Sequence, residues 1–151
     1  MPDSPSFSHL DATGAARMVD VGHKPVQARA ATAYGELVCQ PATLELLHAR
    51  ALPKGDVLAA ARLAGILAAK RTDELIPLCH GLPLDSVSVD FTVLADRIQI
   101  TAMARVSART GVEMEALVAV TVAGLTLYDM MKAVDKTMVL GAVRVTEKTK
   151  S

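Results

Sequence analysis

Apolar and polar residues alternate in two neighbouring segments in the second half of the chain. Every second residue is apolar from Val87 to Val93, and after a turn at Ala95-Asp96 the alternation resumes from Ile98 to Val106. A period of two residues places one set of side chains on one face of a sheet. The two segments therefore predict a β-hairpin with one buried face.

Helical spacing of apolar residues marks two longer segments. Apolar residues recur every three or four positions from Val57 to Arg71, and the segment from Glu113 to about Asp135 is apolar nearly all round, which predicts a buried helix. Its longest apolar run, Ala116 to Leu127, is shorter than the ~20 residues that span a membrane. A short helix is predicted to begin with Pro41 and to end near Ala51.

Shorter signals predict further strands. They are MVDV at residues 18–21, Ala30 to Cys39, and Met138 to Val145. Because strands and helices are mixed without repeated βαβ units, the pattern favours an α+β domain with an antiparallel sheet packed against helices. Residues 1–17 are polar and aperiodic, so we expect a flexible N-terminal arm before a single domain over residues 18–151.

Composition excludes several classes of protein. Sixteen Lys and Arg balance sixteen Asp and Glu, so no net field favours nucleic acid or an anionic membrane as a partner. Aromatic residues make up only 3% of the chain, which argues against stacking platforms for bases. Cys39 and Cys79 are the only cysteines and the first residues contain no apolar run, so neither a disulfide framework nor a secretory signal is indicated. We expect a cytoplasmic protein.

Charged residues lie near both ends of the predicted long helix. Glu113 and Glu115 fall in its first turn, where the helix dipole favours carboxylates, so they either stabilise the helix or belong to a site. Asp129 and Lys132 are three positions apart and share one face near the other end. They form either a surface ion pair or a proton-transfer pair, because a neighbouring carboxylate and burial shift the pKa of a lysine in opposite directions.

The length of this helix has a consequence for any site that uses both ends. Glu113 and Asp129 are sixteen positions apart. At about 1.5 Å per residue a continuous helix holds them roughly 24 Å apart, which is too far for one small ligand to bridge within one subunit. If both ends serve one reaction, either the helix breaks or two subunits bring opposite ends together, and we predict the second arrangement.

Three other sites contain candidate functional residues. Cys79 and His80 lie in the irregular segment LIPLCHGLPL, where no second ligand pair has metal-site spacing, so a hydrogen-bonding or acid/base histidine is favoured. Lys54 precedes a predicted helix and is either an anion ligand or an exposed turn residue. Lys70 and Arg71 close that helix, where they either compensate its dipole or hold a phosphate.

Five segments together carry a family resemblance. MVDV, LPKGD, AGILAAKRTDELIPLCH, TGVEMEAL and LTLYDMMKAVDK resemble the cyclic pyranopterin monophosphate synthase family, in order from about Met18 to Val145. The resemblance implies a ferredoxin-like α+β subunit and a hexamer built from dimers. It also implies a lyase of molybdenum cofactor biosynthesis that converts (8S)-3′,8-cyclo-7,8-dihydroguanosine 5′-triphosphate into cyclic pyranopterin monophosphate and pyrophosphate, with no cofactor.

The resemblance further implies a role for individual residues. Asp129 is the expected proton acceptor, and Lys54 and Lys132 are the essential lysines. The acid/base chemistry of its side chain, and not the resemblance, makes His80 a further candidate catalytic residue. The residues expected to line the substrate site are Leu78, Cys79, His80, Glu113, Met114 and Glu115.

A substrate with about four negative charges needs a group of cations. Arg29 resembles a triphosphate-binding arginine, and Lys70, Arg71 and Lys136 are further candidates. No protein-bound metal is predicted, and the sequence leaves open whether Mg²⁺ accompanies the triphosphate. The chain stops at Ser151, whereas relatives often continue with a Gly- and Lys-rich tail, so a substrate contact from such a tail is in doubt.

The alternative is a non-catalytic nucleotide-binding oligomer. In that protein the same basic residues would hold phosphates, and the pair of Asp129 and Lys132 would be structural. A plain structural subunit would leave these residues without a role. Turnover of the cyclised nucleotide discriminates among these readings.

Overall fold

Strands and helices follow one another along residues 8–151, the part of the chain that the computed structural model describes. The elements are β1 (Gln27–Val38), α1 (Pro41–His48), α2 (Val57–Ala69), α3 (Thr72–Leu75), β2 (Ser86–Val93), β3 (Arg97–Ala108), α4 (Glu113–Met131) and β4 (Val139–Lys150). The predicted hairpin, both long helices and the mixed α+β class are confirmed. Residues 1–7 of the predicted arm lie outside the described residues.

The four strands form one antiparallel sheet in the order β2-β3-β1-β4. Helices α1 to α3 connect β1 to β2, and α4 connects β3 to β4, so the chain follows the β-α-β-β-α-β order of the ferredoxin-like fold. The topology implied by the family resemblance is therefore confirmed. The two long connections place all of the larger helices against the same sheet, and α4 packs on all four strands.

Alternate residues of the two central strands form the core face of the sheet. Leu37 pairs with Ile98, and both side chains are fully buried. Helix α4 approaches so closely that a Cβ at Gly35 would lie 2.6 Å from Val120 Cγ1. By length and composition α4 could cross a membrane, but half of its apolar window is buried inside this fold. At least one side of the apolar surface of α4 is therefore part of the domain core.

Three sequence predictions differ from the structure. The strand predicted for MVDV at residues 18–21 is wrong, because this segment pairs with no other strand. The Val19 carbonyl instead accepts a hydrogen bond from His80. Helix α4 ends at Met131 rather than near Asp135, since the Asp135 carboxylate turns back to accept hydrogen bonds from Gln40 N (2.9 Å) and Thr137 N (2.9 Å). Strand β4 is longer than predicted and continues to Lys150, because its second half also pairs with β1.

The end of α1 supplies a stability prediction. Arg50 has φ 54°, and hydrogen bonds from Arg50 N to Leu47 O (3.1 Å) and from Ala51 N to Leu46 O (3.0 Å) close the helix in a Schellman motif, whose left-handed position favours glycine. We expect Arg50→Gly to raise the free energy of unfolding by about 0.5–1 kcal/mol, measured by chemical denaturation.

The matched control for this change is Arg50→Ala. It removes the same side chain but keeps the Cβ that makes the left-handed conformation unfavourable. An equal gain in both variants would show that the arginine side chain, and not the backbone conformation, limits stability at this position.

Candidate active site

Two cavities that contain ionisable side chains lie near opposite ends of α4. The first, which we call the histidine cavity, has a volume of about 340 Å³ and is lined by His9, Val19, Val21, Lys24, Cys79, His80, Leu82, Thr110, Gly111, Glu113, Met114 and Glu115. The second, the lysine cavity, has a volume of about 430 Å³ and is lined by Lys54, Tyr128, Asp129, Lys132, Ala133 and Lys136. Between them they contain most of the predicted site residues.

The lysine cavity is organised around one carboxylate. Lys132 caps the C-terminal end of α4, and its Nζ lies 2.7 Å from Asp129 Oδ1. Lys54 reaches across from the turn before α2, where its Nζ lies 3.2 Å from Asp129 Oδ2 and 3.1 Å from the Asp129 carbonyl oxygen. Two separate parts of the chain therefore place one ammonium group on each carboxylate oxygen.

These contacts set the protonation states in the lysine cavity. Hydrogen bonds from Lys132 and then Lys54 hold the pKa of Asp129 below its ordinary value. The hydrogen bond to Asp129 in turn raises the pKa of Lys132. At neutral pH the pair therefore consists of a carboxylate that can accept a proton and an ammonium that can donate one. Lys136 adds a further positive charge, so three lysines surround one aspartate.

The irregular connection after α3 supplies one wall of the histidine cavity. His80 Nε2 lies 2.8 Å from the carbonyl oxygen of Val19. A carbonyl oxygen can only accept, so Nε2 must carry the hydrogen, and in the neutral ring this leaves the lone pair on Nδ1. The segment at residues 18–21 thus fixes the tautomer of His80 instead of extending the sheet.

The first turn of α4 supplies the opposite, acidic wall. Burial alone would raise the pKa of Glu113, but a hydrogen bond from Lys148 and the charges of Lys148 and Arg29 outweigh it and leave that pKa lowered. Glu115 is only 4% exposed, and burial, with the charges of Glu113 and Asp73, raises its pKa. One glutamate is therefore held as an anion, whereas its neighbour is biased towards the protonated form.

The same surroundings make Cys79 a poor nucleophile. Burial first, and then the negative charges of Glu115 and Asp73, raise the pKa of its thiol. A reactive cysteine needs the opposite, a cationic environment that stabilises the thiolate. Among residues 8–151 no three His, Cys, Asp or Glu side chains are grouped to hold a metal ion.

Four of the predicted site residues lie outside both cavities. Arg29, on β1, donates from Nε to the Ala108 carbonyl oxygen at 3.2 Å and lies close enough to Glu113 to lower its pKa. Lys70 and Arg71 are exposed after α2, and Leu78 is half-buried. Among these four residues, Arg29 influences the histidine cavity electrostatically, because its positive charge lowers the pKa of Glu113.

Sequence reasoning missed several residues of the histidine cavity. Lys24 and His9 lie in polar segments without periodicity, and Thr110 and Gly111 lie in the turn before α4. Periodicity detects elements that bury an apolar face, and these residues belong to none. Thr110 and Gly111 begin the segment TGVEMEAL that carries the family resemblance, and for Lys24 and His9 the only sequence signal was proximity to MVDV.

Helix α4 is continuous over its 19 residues, so it does not bring the two cavities together. Its sixteen-residue separation of Glu113 and Asp129 corresponds to about 24 Å along the helix axis. Of the two arrangements that the sequence allowed for a single site, a broken helix is therefore eliminated.

The fold and the cavities define a ferredoxin-like α+β protein with polar, ionisable sites suited to acid/base chemistry on an anionic ligand. Residues 18–151 match the model of the MoaC family, and the chain belongs to that family. Three similar proteins are each named cyclic pyranopterin monophosphate synthase. The one from Chloroflexus aggregans is 59% identical over 94% of this chain and 87% of its own. Those from Streptomyces coelicolor and Novosphingobium aromaticivorans are each 56% identical, over 95% and 94% of this chain and 84% and 90% of their own.

Proposed function

We propose that this protein is a cyclic pyranopterin monophosphate synthase, a lyase that converts the cyclised guanosine triphosphate into cyclic pyranopterin monophosphate and pyrophosphate in molybdenum cofactor biosynthesis. Membership of the MoaC family and the shared name of relatives at 53–59% identity support this function. The structural observation that carries it is the Asp129 carboxylate, held between Lys132 and Lys54 in a cavity of excess positive charge.

Asp129 and Lys132 carry the proton transfers in this proposal. Rebuilding a ring system requires protons to be removed at some atoms and returned at others, so both a base and an acid are needed. The lowered pKa of Asp129 keeps the carboxyl group ionised, as an acceptor must be, and the raised pKa of Lys132 keeps the amine protonated, as a donor must be, while the same shifts weaken Asp129 as a base and Lys132 as an acid. Lys54 and His80 assist the phosphate chemistry, with Lys54 also fixing the orientation of Asp129.

The remaining residues bind the substrate. Lys136 and Arg29 neutralise phosphate charge as pyrophosphate leaves, and Lys70 and Arg71 are secondary candidates that lie outside both cavities. The acidic wall of the histidine cavity offers acceptors for the N–H groups of the base. The residues proposed to bind that part of the substrate are Leu78, Cys79, His80, Glu113, Met114 and Glu115.

Each active site combines the lysine cavity of one subunit with the histidine cavity of another. The unbroken α4 supports this arrangement, because it separates Glu113 from Asp129 within one chain by more than a small ligand spans. Two-fold symmetry would create two equal sites in each dimer. Three such dimers give the hexamer that the family resemblance implies.

We also propose that the enzyme acts in the cytoplasm and requires no bound cofactor. The two free cysteines, Cys39 and Cys79, are compatible with a reducing compartment. Any Mg²⁺ would arrive with the triphosphate of the substrate.

Incubation of the purified protein with the cyclised nucleotide tests the proposal directly. Pyrophosphate should appear with multiple turnovers and in equal amount to the cyclic pyranopterin monophosphate. A non-catalytic nucleotide-binding oligomer would bind the nucleotide and release no pyrophosphate. That outcome would contradict the lyase activity and support the binding function.

A further inference from the structure

The segment that precedes MVDV folds back on itself beside the histidine cavity. Asp11 Oδ1 accepts hydrogen bonds from Thr13 N (2.8 Å), Thr13 Oγ1 (2.7 Å) and Ala15 N (3.0 Å), and Leu10 pairs with Ala16 in an isolated bridge. Gly14 has φ 83°, which a glycine adopts without strain. Residues 10–16 therefore form a closed turn whose two ends lie side by side.

This turn fixes the position of His9 relative to the rest of the cavity. Arg17 N donates to the His9 carbonyl oxygen at 2.8 Å, so His9 is tied to the residue that leads directly into residues 18–21. Val19 in that segment accepts the hydrogen bond from His80. The same short segment thus anchors two histidines, and both line the histidine cavity.

Charge is distributed unequally over the cavity walls. His9 and Lys24 supply N–H donors from the segment that precedes β1, whereas Glu113 and Glu115 supply acceptors from α4. A ligand that satisfies both walls carries anionic oxygens on one side and N–H groups on the other. The substrate of the proposed reaction has both, in its phosphates and its purine-derived base.

We propose that His9 is a further substrate-binding residue, whose ring N–H donates a hydrogen bond to a phosphate oxygen of the nucleotide. The assignment rests on the proposed function for the identity of the nucleotide. A hydrogen bond to a charged phosphate group strengthens binding by about 10-fold or more, so removal of the donor should be measurable.

The test compares the wild-type protein with His9→Ala, which removes the N–H donor, and with His48→Ala as the matched control. His48 ends α1 and lines neither cavity, so its replacement changes the same chemical group outside the site. The dissociation constant of inorganic tripolyphosphate is measured by calorimetry, and KM is measured for the cyclised nucleotide. We expect His9→Ala to raise both values about 10-fold and His48→Ala to leave both unchanged.

The outcomes separate this proposal from the proposed function. If the wild-type protein binds tripolyphosphate through His9 but releases no pyrophosphate, the proposed lyase activity is wrong and the His9 contact is supported. Active protein in which His9→Ala leaves the tripolyphosphate affinity unchanged would overturn the phosphate contact, even if KM rises. Failure of tripolyphosphate to bind the wild-type protein would overturn it as well.

Discussion

Replacement of Lys132 by Ala should lower the rate of pyrophosphate release by about 10²–10⁴-fold, the range typical of a lost general acid or base. Lys132 touches one oxygen of Asp129 at 2.7 Å, and its removal also takes away the contact that contributes most to the lowered pKa of that carboxylate. The side chain is 55% exposed, so the fold should survive its loss. Turnover is measured under saturating substrate, with circular dichroism to check folding.

Lys136→Ala is the matched control for this prediction. Lys136 lines the same cavity, and no ion pair joins it to Asp129 in the described part of the chain. Its loss should weaken substrate binding and raise KM, with a much smaller effect on turnover than Lys132→Ala. Wild-type turnover in the Lys132→Ala protein would remove the proton-transfer role of this residue.

Two inactive variants should restore activity when their subunits are mixed. Glu113→Ala damages the histidine cavity and Asp129→Ala damages the lysine cavity, and each homo-oligomer should be inactive because both of its shared sites carry the lesion. In mixed dimers one site receives both lesions and the other receives none. Random subunit exchange should therefore give about one quarter of the wild-type rate, measured as pyrophosphate release after dissociation and reassembly.

A second mixture controls for simple stabilisation of one variant by the other. Asp129→Ala and Lys132→Ala both lie in the lysine cavity, so each site of a mixed dimer still carries one lesion. This mixture should stay inactive. Recovery in both mixtures, or an active isolated monomer, would contradict a site shared between subunits.

The parts of the fold that bury an apolar face were predictable from sequence. Strands β2 and β3 and helices α2 and α4 each repeat apolar residues at the period of their structure, which is why their positions could be read directly. The segment at residues 18–21 has strand-forming residues but no partner strand. Its backbone binds the side chain of His80, and a single sequence gives no signal for such a contact.

The candidate site was predictable to a different degree at its two ends. Asp129 and Lys132 share a helix face by spacing alone, so their contact could be anticipated. The approach of Lys54 to the same carboxylate depends on how α2 packs against α4, and only the family resemblance indicated that Lys54 belongs to the site. His9 was assigned to an arm expected to be flexible, because the turn that holds it is closed by polar hydrogen bonds that leave no periodic pattern.

Because α4 is unbroken, the number of residues in it fixes the distance between the histidine cavity and the lysine cavity of one subunit. Each residue added to the middle of this helix would move one end by about 1.5 Å and rotate it by about 100° relative to the other. If each active site is shared between two subunits, as proposed, the oligomer would tolerate neither change, since the neighbouring subunit would meet both ends at fixed positions. Surface loops can change in length without this effect, whereas an insertion or deletion within α4 would misalign every shared site of the proposed oligomer.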